Sequence, residues 1–150
     1  MNTRGKEARQ LQCRQLVPGK TSGEALVSRE RISFWGGFDP QTGLIVDRYS
    51  GLRGKDVTGK VLILLSTKGS SGTSGMLSLA SRAGHAPAAM IHVDVDPVAV
   101  MGCLANRIPF LQASEFDPFE HVKDGDWIEI DGEGTVTVTS KRSAAKVADV

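Results

Sequence analysis

Residues 61–65, Val-Leu-Ile-Leu-Leu, are apolar at both alternating sets of positions, the pattern of a strand covered on both faces. The run leads into Lys68-Gly69-Ser70-Ser71-Gly72-Thr73-Ser74-Gly75, rich in glycine and hydroxyl groups. Beyond it, Met76, Leu79, Ala80 and Ala83 recur at helical spacing, which predicts a helix over 74–83. Gly84 suits the position just past its end, and Pro87 follows. Residues 88–93 read as a second buried strand. Together they make a βαβ unit, whose strands run parallel with a right-handed crossover. A second helix is expected over 97–106, with Pro97 at or near its first position and Asp96 as N-cap. Residues 109–112 fit a third parallel strand. This βαβα core commits the chain to an α/β fold.

The flanks read as β. Residues 1–10 look like a flexible lead-in. Residues 13–17 and 25–28 are short strands around a turn-like stretch, 18–23. Ile32-Ser33-Phe34-Trp35-Gly36-Gly37-Phe38-Asp39-Pro40 sets aromatics beside a Gly-Gly pair and an Asp-Pro turn. Residues 43–47 read as a strand and 56–60 as a turn. Residues 127–130 and 135–139 alternate about a turn at 131–134. From Lys141 onward no pattern is present, so 141–150 is expected to be a disordered tail. The expectation is one domain over 11–140, a βαβα core flanked by bent or antiparallel strands with no internal boundary.

The totals exclude several function classes. A net charge of +1 on 150 residues argues against nucleic acid or an acidic membrane surface as partner. No apolar run approaches the ~20 residues that span a bilayer. The charged N-terminus (Arg4, Lys6, Glu7, Arg9) is not a secretory signal, which points to the cytoplasm. Two cysteines, Cys13 and Cys103, make neither a disulfide framework nor a metal site, and no metal ligand set is expected on this chain.

The glycine-rich turn is where chemistry is to be sought. A strand that runs into a helix there aims backbone N–H groups and the helix dipole at one small space, which favours an anion or developing negative charge. It is not a nucleotide phosphate loop, because Met76 stands where that motif needs lysine and Lys68 precedes the turn. Gly69, Gly72 and Gly75 run GxxGxxG rather than the dinucleotide GxGxxG, although Asp94 lies where a ribose-binding acid would sit. A catalytic hydroxyl is the third option. Serine needs its alkoxide stabilised by N–H donors or a nearby cation, and Ser70 has Lys68 as a near neighbour. His85, His92 and His121 form no triad with it, so help from a partner chain or a metal is required. From the residues alone, the same turn serves equally well as a helix cap, with Ser71 and Ser74 capping and Gly69 and Gly72 at positive φ.

Six ordered blocks add a resemblance. They are residues 23–28 (Gly-Glu-Ala-Leu-Val-Ser), 32–43 (Ile-Ser-Phe-Trp-Gly-Gly-Phe-Asp-Pro-Gln-Thr-Gly), 59–62 (Gly-Lys-Val-Leu), 68–71 (Lys-Gly-Ser-Ser), 86–89 (Ala-Pro-Ala-Ala) and Asp96-Pro97. In order and spacing, over about residues 10–112, the chain resembles the small subunit, or swivel domain, of aconitase X. The resemblance implies a swivelling β/β/α domain and a dehydratase. It implies a large-subunit partner that carries an iron–sulfur cluster, with no cluster on this chain alone. The family's Gly-(Lys/Arg)-Gly-Ser pattern matches Lys68-Gly69-Ser70, with Thr67 in place of the first glycine. By this resemblance Ser70 accepts the proton from the carbon beside the substrate's carboxylate, while the partner helps hydroxide leave. Lys68, Gly69, Ser71, Gly72, Thr73 and Ser74 form the substrate and oxyanion loop.

Two substrates are implied by the family. They are cis-3-hydroxy-L-proline in bacterial members and mevalonate 5-phosphate in archaeal two-subunit members. Trp35, where archaeal chains tend to have leucine, favours the proline derivative. Apolar surface around Phe34 and Trp35 is expected to meet the large subunit. Two other readings stand beside this one. A phosphohistidine swivel module needs a histidine at the helix start, whereas His85 lies at the far end. A purely binding subunit would keep the fold without needing Ser70.

Overall fold

The computed structural model describes residues 8–141. The apolar run at 61–65 is the centre of the molecule. Its strand extends through Ser66 and Thr67, and its side chains feed two separate cores. In chain order the elements are β1 (Arg9–Gln12), β2 (Arg14–Val17), β3 (Lys20–Ile32), a single broken turn α1 (Phe34–Gly37), β4 (Phe38–Asp39), β5 (Leu44–Ile45), β6 (Val61–Thr67), α2 (Gly72–Ala83), β7 (Ala89–His92), α3 (Pro97–Ala105), β8 (Phe110–Gln112), β9 (Trp127–Asp131) and β10 (Thr135–Thr139).

Val61 and Ile63, with Ala89, Ile91 and Leu111, point into a core closed from the other side by Ile128, Ile130, Val136 and Val138. Leu62 and Leu64, with Met90 and Phe110, point the opposite way, onto Leu77, Ala80, Ala99 and Cys103 of the helices. The result is three layers: an antiparallel β layer, a mainly parallel β layer and a helical layer. This is the β/β/α arrangement expected of the chain. The strands join in the order β1-β10-β9-β3-β6-β7-β8-β2. β3 is shared between the layers. Residues 20–24 pair antiparallel with β9, and residues 25–32 pair parallel with β6. β6–β7 and β7–β8 are parallel, as expected of the core. The two ends of the order, β1 and β2, are consecutive in the chain, joined across the buried Cys13.

Several flanking expectations are corrected. Arg9 and Gln10 belong to β1 rather than to a lead-in, because they pair with Val138 and Thr137. Only Pro18-Gly19 separates β2 from β3, since Lys20–Gly23 already pair with β9. The strand expected over 25–28 is thirteen residues long. The strand expected over 43–47 shrinks to Leu44–Ile45, paired with β4. α2 starts two residues early, and its buried stripe is Thr73, Leu77 and Ala80; Ala83 is exposed. Gly84 ends the helix in the left-handed conformation, φ 81°, and Asp96 caps α3 by accepting from Val98 N–H at 3.0 Å, both as expected. Of the proposed lead-in and tail, residues 1–7 and 142–150 lie outside the described residues. Lys141 is described, and its N–H donates to Asp126 Oδ1 at 2.9 Å.

His92 sits fully buried on the helix-facing side of β7, its ring edge-on to Phe110 at 4.7 Å. Neither ring nitrogen has a partner among the described residues. Burial penalises the imidazolium and pushes its pKa down to about 3. The unfolded chain therefore binds a proton near pH 6.5 that the folded chain refuses until about pH 3. Stability from this group is complete above pH 6.5 and is lost as pH falls toward 3. Denaturant titrations should show a loss of about 2 kcal/mol between pH 7.5 and pH 5, a window above the usual carboxylate range. A His92→Leu variant should lack that slope; an unchanged slope would reject the assignment.

Candidate active site

Parallel strands β3, β6 and β7 all end at one edge of the sheet, and the segments leaving them meet there. In open α/β sheets this carboxyl edge is where ligands bind. The ladder is prolonged by Lys68 N–H donating to Ile32 O at 2.9 Å. Ser66 Oγ donates to Asp94 O at 2.9 Å, and Thr67 Oγ1 to Asp96 Oδ2 at 2.8 Å. The exits of β6 and β7 are thus stitched together. Asp96 serves both this stitch and the start of α3.

The chain then turns into α2. Ser70, half-buried, accepts the Gly72 N–H on Oγ at 3.1 Å, and its carbonyl accepts the Thr73 N–H at 3.1 Å. An oxygen that accepts from the N–H at the start of a twelve-residue helix is held where the dipole favours negative charge. No acidic side chain lies in the helix's first turn to oppose it.

The capping alternative is met differently from expectation. Ser71 occupies the N-cap position with αR angles (φ −61°, ψ −21°) and makes no side-chain cap bond; Ser70 does that work. Ser74 packs instead on α3, where a Cβ on Gly102 would come within 3.1 Å of the Ser74 Cα. Neither Gly69 nor Gly72 has positive φ. Gly72 is small because the Trp35 ring lies against its α-carbon, and a Cβ on Gly69 would stand 3.8 Å from Asp96 Oδ1.

The structure gathers Lys68, Gly69, Ser70, Ser71 and Gly72 at the open edge. Thr73 instead turns its side chain into the core, fully buried, with its hydroxyl unpartnered among the described residues. Lys68 is exposed and makes no side-chain hydrogen bond or ion pair among the described residues. Phe34 and Trp35 part company: Phe34 is fully buried, whereas Trp35 is 59% exposed. Core packing therefore accounts for the first and not the second.

The same edge holds residues that the sequence reading did not single out. Arg31 pairs with Asp94 at 2.7 Å, and Arg29 pairs with Asp117 at 3.0 Å while lying 4.7 Å over the Phe119 ring. Arg29, Asp94 and Asp117 line an open cleft of about 510 Å³ together with Leu65, Val93 and Gln112. The signal that could have found them is alternation through Arg29 and Arg31, which extends β3 beyond Ser28.

An iron–sulfur cluster is held by cysteine thiolates. Cys13 lies in the inter-sheet core and Cys103 on the buried face of α3, in different cores, and burial pushes their pKa values up to about 11 and about 12. Two separated, protonated thiols do not fit such a cluster. Among the described residues no group of three or more His, Cys, Asp or Glu could hold a metal ion. No helix there is long and apolar enough to cross a membrane.

Comparison with known proteins agrees with this picture. Residues 10–138 match the family described as the aconitase X swivel domain. The phosphomevalonate dehydratase small subunit of Methanocella arvoryzae is 39% identical over 123 residues, 82% of this chain and 93% of that protein. That of Methanosarcina acetivorans is 34% identical over 139 residues, 93% and 96% of the two chains. The crystal structure of Thermococcus kodakaraensis aconitase X in its holo-form superposes with a TM-score of 0.80 at 31% identity, covering 87% of this chain and 98% of that one. With the family match spanning nearly all described residues and the three-layer fold shared, the chain belongs to the aconitase X swivel domain family.

Proposed function

We propose that Ser70 is the proton acceptor of a two-chain hydro-lyase, in which this small subunit closes over a substrate held by a large subunit. The observation that carries this reading is the bond from Gly72 N–H to Ser70 Oγ at the sheet's carboxyl edge. Hydrogen-bond donation to Oγ there favours an alkoxide over a hydroxyl. The proton on the carbon beside the carboxylate passes to Ser70 Oγ. Its electron pair forms the new double bond as hydroxide leaves the neighbouring carbon, a departure assisted from the large subunit. Negative charge that builds on the carboxylate side meets the N-terminus of α2. An iron–sulfur cluster, as the family implies, belongs to the large subunit, and the described residues of this chain offer no ligand set for it.

The substrate is read as cis-3-hydroxy-L-proline. The exposed Trp35 indole stands over the turn that carries Ser70, and an aromatic face there suits a ring that carries a secondary ammonium. A second reading, mevalonate 5-phosphate, is favoured by the relatives named phosphomevalonate dehydratase small subunit. The test is direct. The chain is reconstituted with its cognate large subunit and offered each compound in turn, and loss of water is followed by mass. Turnover of the proline derivative alone supports the first reading. Turnover of the phosphate alone replaces it with the second. No dehydration of either rejects both.

A further inference from the structure

We infer that Trp35 is a positioning residue for Ser70: its indole lies on the α-carbon of Gly72 and holds the turn that presents Ser70 Oγ. The inference rests on the reading of Ser70 as proton acceptor. A Cβ on Gly72 would come within 2.6 Å of Trp35 Cδ2 and 3.0 Å of Cγ, with Cε3 closer still, so the ring faces that α-carbon without a gap. Gly72 is the residue whose N–H holds Ser70 Oγ. Nothing in the backbone asks for glycine there. Its φ is not positive and it opens a helix, where alanine is the better residue. The three atoms nearest to a methyl group there all belong to the indole.

The backbone that carries the ring is braced. Trp35 (φ −90°, ψ 109°) and Gly36 (φ 87°) break the helical turn, and Ser33 Oγ donates to Trp35 O at 2.6 Å. Phe34 is buried edge-to-face on Phe38 at 5.1 Å. An indole that stays 59% exposed contributes little to the core; what it touches is the serine turn.

Two measurements test this. In the reconstituted enzyme, Trp35→Ala should lower kcat by about 10²-fold, the scale of a misplaced reacting group, beyond any rise in KM from loss of the ring's substrate-facing side. The kinetic isotope effect with substrate deuterated beside the carboxylate should rise, and Trp35→Phe should restore most of the rate. A lower rate with unchanged isotope effect means fewer folded molecules rather than a displaced base, and overturns the role. Melting of the full chain tests the contact separately. Gly72→Ala should lower Tm in the natural chain and raise it when Trp35 is alanine. Equal shifts in both backgrounds overturn the contact. The two failures are separable: a Ser70→Ala enzyme that still turns over removes the serine's role, whereas additive melting shifts remove the contact itself.

Discussion

Ser70→Ala should lower kcat of the reconstituted enzyme by about 10²–10⁴-fold, the range supplied by a positioned general base. The size follows from the lack of a substitute. His92 is buried, with its pKa held down at about 3, too weak a base and closed to substrate. His85 lies beyond the other end of α2 with Nδ1 3.0 Å from Thr58 Oγ1. Lys68 is exposed, and Ser71 offers no bonded hydroxyl. The stability cost should be small, about 1 kcal/mol, because one half-buried hydroxyl loses one bond at a helix start. Steady-state turnover, with the mutant chain's melting curve and a titration against the large subunit, checks all three statements. Turnover near the natural rate in a normally bound complex would disprove the serine's role.

The core was legible because its signals are local. Val61 to Leu65 is apolar on both faces, Asp96-Pro97 is a cap and a helix start in two residues, and Gly84 is a helix stop by itself. The edges were not, because their causes lie far away in the chain. β3 is expected only over 25–28, and its continuation through Arg29, Glu30 and Arg31 rests on partners distant in the chain. Arg29 is answered by Asp117, Arg31 by Asp94, and Glu30 accepts from Ser28 Oγ at 2.6 Å, Ser50 Oγ at 2.7 Å and Gly51 N–H at 3.0 Å. β1 pairs with residues at the opposite end of the chain. At the site, sequence identifies a turn with two adjacent serines. Which of them meets the helix N–H is decided by backbone angles at Ser71 that no local pattern announces. The reason for glycine at 72 is a tryptophan 37 positions earlier.

The adjacent pair Phe34 and Trp35 should give opposite results, and Phe34→Ala should be the most destabilising single change near the site. Phe34 has no exposed surface and packs with Phe38, Ile45, Leu52 and Val57 in the helix-side core. These residues come from the excursion between β3 and β6, whose only strands are the two-residue β4 and β5. Its other backbone bonds, such as Ile45 N–H to Lys55 O and Val57 N–H to Gly43 O, tie the excursion to itself, and the apolar side chains at its centre tie it to the core. Truncation of a fully buried phenylalanine costs about 3–5 kcal/mol, a large part of the roughly 5–15 kcal/mol that holds a domain together. Trp35→Ala, at an exposed position, should cost about 1 kcal/mol or less. Urea denaturation of the two variants reads the contrast directly. A loss below about 1 kcal/mol for Phe34→Ala would mean the excursion is held by other contacts. If the contrast holds, the kink between the two residues divides their labour. One aromatic fixes the excursion to the core, and the other, carried on the same turn, is held against the serine loop.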